Sequence, residues 1–245
     1  MVDEASSRYP YTADGRMPIA PDADWLDPPV GLSFAAAATS EVRVGTGVLL
    51  LPEHNPVLVA KQAASLDALS GGRLVLGFGI GWSAEEFAAL GVPFEARAHR
   101  TEEYVAAIRT LWRDDVASFH GEFVHFDAIR VNPRPHRDRR IPIFLGGNSN
   151  AALRRAASFG DGWYGFNLTL TELAGRVDEL RRSCRQQGRD PDSVEIVVSV
   201  TDCPPEQRDQ LASLGVDEAV VVAGTPADAG AAGSWVDDLA RRWLA

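Results

Sequence analysis

The sequence predicts an α/β fold built as a (β/α)-barrel, and three observations carry that expectation. From residue 32 onward, six apolar runs alternate with helical segments. Strands each followed by a helix imply parallel pairing through crossover connections. Glycines also cluster after the first, second and third strands, whereas a doubly wound sheet places its phosphate turn after the first alone. A barrel gathers its active site from many strand ends, so this spread favours a barrel.

Residues 1–30 hold five prolines and no helical or strand period, and read as an irregular surface arm. Residues 31–245 then read as the barrel domain. Leu32–Thr39 is a small-residue helix and Val42–Leu51 a buried, β-branched strand. Pro56–Leu69 is a helix opened by proline and stopped at Gly71-Gly72. Leu74–Gly79 is the second strand. Ser83–Leu90 and Thr101–Trp112 are helices, with Thr101 as the cap of the latter, and His120–Phe126 is a short hairpin. Ile141–Leu145, Gly162–Phe166, Val194–Val200 and Glu218–Ala223 complete the strands. Between and after them lie the helices Asn150–Ser158, Leu170–Gln187, Pro205–Leu214 and Ser234–Ala245, with Thr225–Gly233 as a loop.

A formal net charge of −10 argues against a nucleic-acid backbone as partner. The basic stretch Arg134–Arg140 reads as a solvated loop. The two cysteines, Cys184 and Cys203, form no CxxC pair, which suits a reducing, cytoplasmic setting without a disulfide. No leader and no bilayer-length apolar run is evident, so no membrane association is expected. The histidines at 54, 99, 120, 125 and 136 show no HxxxH-like spacing, and no metal site is expected. Neither a GxSxG elbow nor a Walker loop is present.

The run TSEVRVGTGVLLLPEHNPVLVAKQAASLDALSGGRLVLGFGIGW, the helices after it and IPIFLGGNSNAALRRAASFGDGWY resemble the luciferase-like monooxygenase superfamily, most of all its branch using the deazaflavin coenzyme F420. The likeness runs from about Tyr9 to Val200. It implies a TIM-type barrel in which VRVGTGVLLL is the third strand and EAVVVA the eighth. The first two strands of such a barrel would precede residue 1, so the chain is expected to be shortened at its start. Two strand edges, at VRVGTGVLLL and EAVVVA, would then lie open, and a homo-oligomer pairing them is expected.

The resemblance also implies a site. Gly45–Val48 would carry a bulge and a non-prolyl cis peptide, at Gly47–Val48, backing the cofactor ring; a tight spot in barrel packing is the other reading. Gly146, Gly147, Asn148 and Ser149 would hold the cofactor phosphate with the first amides of the next helix, though Asn148 or Ser149 would cap that helix in any case. Trp82 would wall the ring pocket, and Glu85 would bond the ring edge or substrate, or else decorate a helix start. Glu85 and His54 are the catalytic candidates. Arg97 and Arg100 would reach a phosphate or pair with Glu102 or Glu103, and Asp161 would shape a turn. The implied activity is hydride transfer between coenzyme F420 and a small organic substrate. The alternatives are an FMN-dependent monooxygenase and a degenerate, non-catalytic relative.

Overall fold

The computed structural model describes residues 6–20, 22–136, 138, 140–200, 204–224, 226 and 228–244. The chain divides into two compact units, one of residues 1–146 and 159–161, the other of residues 147–158 and 162–245. Cys203 and two arginines of the 134–140 stretch, Arg137 and Arg139, lie outside the described residues.

In the first unit, helix α1 (Pro28–Ala38) precedes strand β1 (Val44–Leu50), helix α2 (Pro56–Ser70) and strand β2 (Leu74–Gly79). Helix α1 starts four residues before the expected Leu32, because Asp27 caps it by accepting from the Val30 N–H and prolines fill its first turn. The irregular arm, expected to run to residue 30, therefore ends at Asp27. Asn55 caps α2 by accepting from the Val57 and Leu58 N–H groups, and Gly71 ends it at φ +71°. Strand β1 stops at Leu50, and Leu51–Glu53 form a single 3-10 turn.

Helices α3 (Ala84–Ala89) and α4 (Arg97–Arg113) follow, then the antiparallel hairpin β3 (Ala117–His120) and β4 (His125–Ile129), then β5 (Ile143–Gly146). Helix α4 corrects two expectations. It begins at Arg97, so Thr101 lies inside it and donates its hydroxyl to the Arg97 carbonyl instead of capping. Arg97 and Arg100 are likewise helical: they donate to the Gly81 and Pro93 carbonyls and stack over Phe94 and Phe123. Arg134, expected to be solvated, donates to the Leu111 and Trp112 carbonyls and caps the end of α4.

Strands β1, β2 and β5 pair in parallel in that order. Leu74, Leu76 and Phe78 point to one face of β2, while Val75, Gly77 and Gly79 point to the other. The core around them includes Phe78, Phe87, Leu51, Ile108, Leu111, Trp112, Ile141, Ile143 and Leu145, all essentially inaccessible. The indole of Trp112 donates to the Ala60 carbonyl, 3.0 Å, which ties α4 to α2.

The second unit contains α5 (Asn150–Phe159, of which residue 159 belongs to the first unit), β6 (Gly162–Phe166) and α6 (Leu170–Gln186). It continues with β7 (Glu195–Val200), α7 (Arg208–Ser213), β8 (Glu218–Val221) and α8 (Ala232–Leu244). The expected helix Pro205–Leu214 is a 3-10 turn followed by the short α7. Strands β6, β7 and β8 pair in parallel in order. Helix α6 opens with a capping box between Thr169 and Glu172 and buries Leu173, Val177, Leu180 and Cys184.

One device recurs. Asp161, just before β6, accepts from the Ile143 N–H at 2.9 Å while its own N–H donates to the Ile143 carbonyl. Asp217, just before β8, does the same with Ile196. Asp161 also receives the Arg109 and Arg140 guanidiniums. These carboxylates fix strand starts, which is the structural role the sequence left open for Asp161.

Candidate functional site

The C-terminal edge of β1, β2 and β5 has an unusual surface. The pairing of β1 with β2 slips between Thr46 and Leu49, and the Gly47–Val48 peptide is cis and non-prolyl, as the family resemblance implied. In this bulge Val48 lies across its neighbours. A Cβ placed on Gly79 would meet a Val48 methyl at 2.8 Å, and one on Gly146 would meet the other methyl at 2.9 Å. A Cβ on Gly77 would strike the Thr46 carbonyl and lie 3.2 Å from Val48. The glycines of β2 and β5 therefore leave room for one isopropyl group, and the strand ends form an apolar platform made of Val48. Gly47, Val48 and Gly146 are thus together, and Gly77 and Gly79 join them.

Trp82 and Glu85 stand just beyond β2. Gly81, at φ +82°, turns the chain between them and the strand. Ser83 caps α3 through the Glu86 N–H. The half-exposed Trp82 meets Tyr9 edge-to-face, 5.3 Å between centroids, and Tyr9 meets Tyr11 likewise. Glu85 accepts from the Ser6 N–H (2.8 Å), the Ser6 hydroxyl (2.7 Å), the Ser7 N–H (3.0 Å) and the Ser83 hydroxyl (3.1 Å). Those bonds, Ser6 foremost, hold its carboxyl far below the usual range. A carboxylate so committed is a poor proton donor, and here Glu85 anchors the arm.

Sequence reasoning missed Glu53. Its Oε1 is buried with no hydrogen-bond partner and would lie 3.1 Å from a Cβ on Gly81. Burial, aided by the nearby Glu86 charge, pushes its pKa up to about 7. Its only sequence signal was its place directly after β1, among many surface carboxylates. His54 goes elsewhere. It lines a cavity of about 480 Å³ with Asp27, Leu66, Leu74 and Leu76. Leu74 and Leu76 belong to the face of β2 opposite Gly77 and Gly79, so His54 is not brought to the Val48 platform. Burial lowers its pKa, and the Asp27 charge opposes that.

In the second unit, the loop before α5 is closely bonded. Gly147, at φ +115°, donates its N–H to the Tyr164 carbonyl (3.3 Å) and accepts from the Trp163 indole (2.9 Å). The Asn148 side chain donates to the Phe166 carbonyl and accepts its N–H, at 2.6 and 3.1 Å. Ser149 caps α5 through the Ala152 N–H. A cation that the sequence did not single out joins them: Arg176 of α6 donates to the Asn150 side chain (2.7 Å) and the Asn148 carbonyl (3.4 Å). The start of α5 thus combines the positive end of a helix with a guanidinium.

The family model described as luciferase-like monooxygenase matches residues 8–240. The chain belongs to the luciferase-like monooxygenase family. Its fold is accordingly the α/β fold of that TIM-barrel family, with six βα units present. An uncharacterised protein of Mycobacterium tuberculosis is 40% identical over 181 residues, 73% of this chain and 62% of the relative. This luciferase-like chain therefore spans about three-fifths of the length of the first curated relatives it matches. An FMNH(2)-dependent dimethylsulfone monooxygenase of Pseudomonas putida is 35% identical over 156 residues, 62% of this chain and 42% of that protein. Among solved structures, an F420-dependent secondary alcohol dehydrogenase in complex with an F420-acetone adduct matches in fold. That match has a TM-score of 0.67 and 22% identity, and covers 79% of this chain and 60% of the other. Relatives and fold neighbours thus include both FMN- and F420-dependent enzymes. Among the described residues no helix is long and apolar enough to cross a membrane.

Proposed function

We propose that this luciferase-like chain is an oxidoreductase that binds coenzyme F420 and moves a hydride between it and a small organic substrate. The observation that carries this reading is the Val48 platform: Gly77, Gly79 and Gly146 on the neighbouring strands leave room for the Val48 isopropyl group, which stays partly exposed. A planar ring fits such a surface, whereas a Cβ on Gly79 or Gly146 would displace Val48. When bound, the deazaflavin supplies the carbon that gives or takes the hydride, and the protein orients it and keeps water away.

In this reading, within the first unit, Val48 backs one ring face and Trp82 closes the side. The second unit, by itself, offers the α5 amides and Arg176 to a phosphate, where charge-assisted bonds are strongest. Glu53, not Glu85, is the carboxyl able to keep a proton near neutral pH, and we assign it the proton-holding role. Glu85 fixes the arm that carries Tyr9 against Trp82. FMN is the second reading, favoured by the likeness to the dimethylsulfone monooxygenase. Self-association along the open edge of β1 belongs to the same proposal.

Parallel fluorescence titration of the purified chain with coenzyme F420 and with FMN tests it. Saturable F420 binding, tighter than FMN, is expected. Tighter FMN binding would transfer the assignment to the second reading, and binding of neither would overturn both.

A further inference from the structure

A cluster of ligand-type side chains lies on the β3–β4 hairpin, apart from the Val48 platform. His120 and His125 are direct cross-strand partners, and Asp127 follows His125 by two residues, on the same face. The two Nδ1 atoms are 3.1 Å apart. Nε2 of His120 is 3.1 Å from one Asp127 oxygen, and Nε2 of His125 is 3.3 Å from the other. One ligand atom from each residue can be chosen so that all three lie within 4.8 Å of one another. Ligands of one tetrahedral zinc, at bonds of about 2.0–2.1 Å, stand roughly 3.3 Å apart. The rings approach each other through Nδ1 but the carboxylate through Nε2, so a single donor from each residue spans up to 4.8 Å, and rotation of the side chains brings the three to zinc distance.

The hairpin is held in shape independently of any ion. Glu103 of α4 accepts the N–H groups of Glu122, Phe123 and Val124, at 2.7–2.8 Å, and fixes the turn. A Cβ on Gly121 would strike the Glu103 carboxylate, so glycine lets that carboxylate close over the turn. Ser118 accepts from the Ala128 N–H beside Asp127. On the other face Phe119 stacks on Phe126, which is buried. The strand pair thus presents two imidazoles and a carboxylate to solvent on one face, with only side-chain rotation left to organise.

We propose that His120, His125 and Asp127 form a binding site for a divalent cation of the zinc class. Two imidazoles with one carboxylate suit zinc and its neighbours better than magnesium or calcium, which prefer oxygen alone. Three protein ligands leave a fourth position for water or another donor. The spacing escaped sequence inspection because HxxxxHxD is neither helical nor a known ligand motif; only the register across the hairpin brings the rings together.

Isothermal titration of chelator-treated, tag-free protein with Zn²⁺ tests the site, with Co²⁺ absorption reporting the ligand set. One saturable equivalent per chain is expected, together with a Zn²⁺-dependent rise in Tm. His120→Ala and His125→Ala should each weaken binding by about tenfold or more, on the scale by which even supporting residues tune metal sites. His99→Ala should leave binding unchanged. All these side chains are exposed, and circular dichroism verifies that each variant is folded. No saturable equivalent, or unchanged affinity in the His120/His125 double variant, would overturn the proposal. Either result leaves the cofactor reading standing, since none of these residues belongs to it.

Discussion

Single atoms decide how the Val48 platform is built. Gly79→Ala forces a methyl to within 2.8 Å of Val48 and 3.0 Å of Leu50. Overpacking of this kind costs roughly 1–3 kcal/mol, and urea unfolding should report it. Val48→Ala removes the obstructing methyls, so the double variant should recover part of the loss; strict additivity would show that the two residues do not share the space. Glu53 makes a prediction about pH. Its folded pKa is raised from 4.5 to about 7, so the native state keeps a proton that the unfolded chain loses. Its contribution to stability is therefore fully present below about pH 4.5 and lost as the pH rises towards about 7. Glu53→Gln carries no titrating proton. Its Tm advantage over the parent should be absent near pH 4 and grow to a plateau above pH 7; a constant difference would show that Glu53 is not desolvated. Residues of these two kinds differ in legibility. Gly47 and Val48 were visible because glycine interrupts an otherwise apolar strand. Glu53 was not, because burial of one carboxylate oxygen leaves no mark on composition or period.

Elements were read more easily than their ends. Apolar runs gave every strand of the parallel sheet, since a buried strand needs apolar residues on both faces. Helix starts shifted in more than one way: α1 opens four residues before the expected Leu32 behind the Asp27 cap, and α4 opens from Ala96 at φ +57° without a side-chain cap, five residues before the Thr101 expected to cap it. The loop between β5 and α5 was read as an anion cradle, yet the Gly147 N–H and both ends of the Asn148 amide are already bonded within the protein. What remains for a phosphate is the first amides of α5 and Arg176. Because Gly147 has φ +115°, any replacement there strains the backbone and confuses folding with binding. Arg176→Ala is the cleaner test. It should weaken the phosphate-bearing cofactor by about tenfold, the scale of a charge-assisted hydrogen bond of roughly 1.5–3 kcal/mol. Riboflavin, which has no phosphate, should bind the variant and the parent alike. Equal losses for FMN and riboflavin would remove Arg176 from the phosphate site.

At the scale of the molecule, the proposed self-association rests on the outer side of β1. Among the described residues β1 pairs with β2 alone, so one row of its N–H and C=O groups has no strand partner. Around that edge the first unit exposes large apolar side chains: Phe34 of α1 is 77% accessible and Leu69 of α2 is 84%. The cavity of about 480 Å³ between α1, α2 and the strands opens in the same region. An unpaired strand edge beside exposed apolar surface is a template for pairing with another chain. The net charge of −10 works in the opposite direction, through repulsion between copies that salt screens. The two effects predict a specific pattern in sedimentation velocity. Dimers or larger species should appear as protein concentration rises, and should increase on going from low to physiological salt. Replacing Phe34 and Leu69 by Asp and Glu adds charge and removes apolar surface without touching the Val48 platform. Those changes should shift the chain towards monomer while leaving cofactor affinity unchanged. A parent chain that remains monomeric across concentration and salt would show that the β1 edge is tolerated in water, and the self-association proposal would fall.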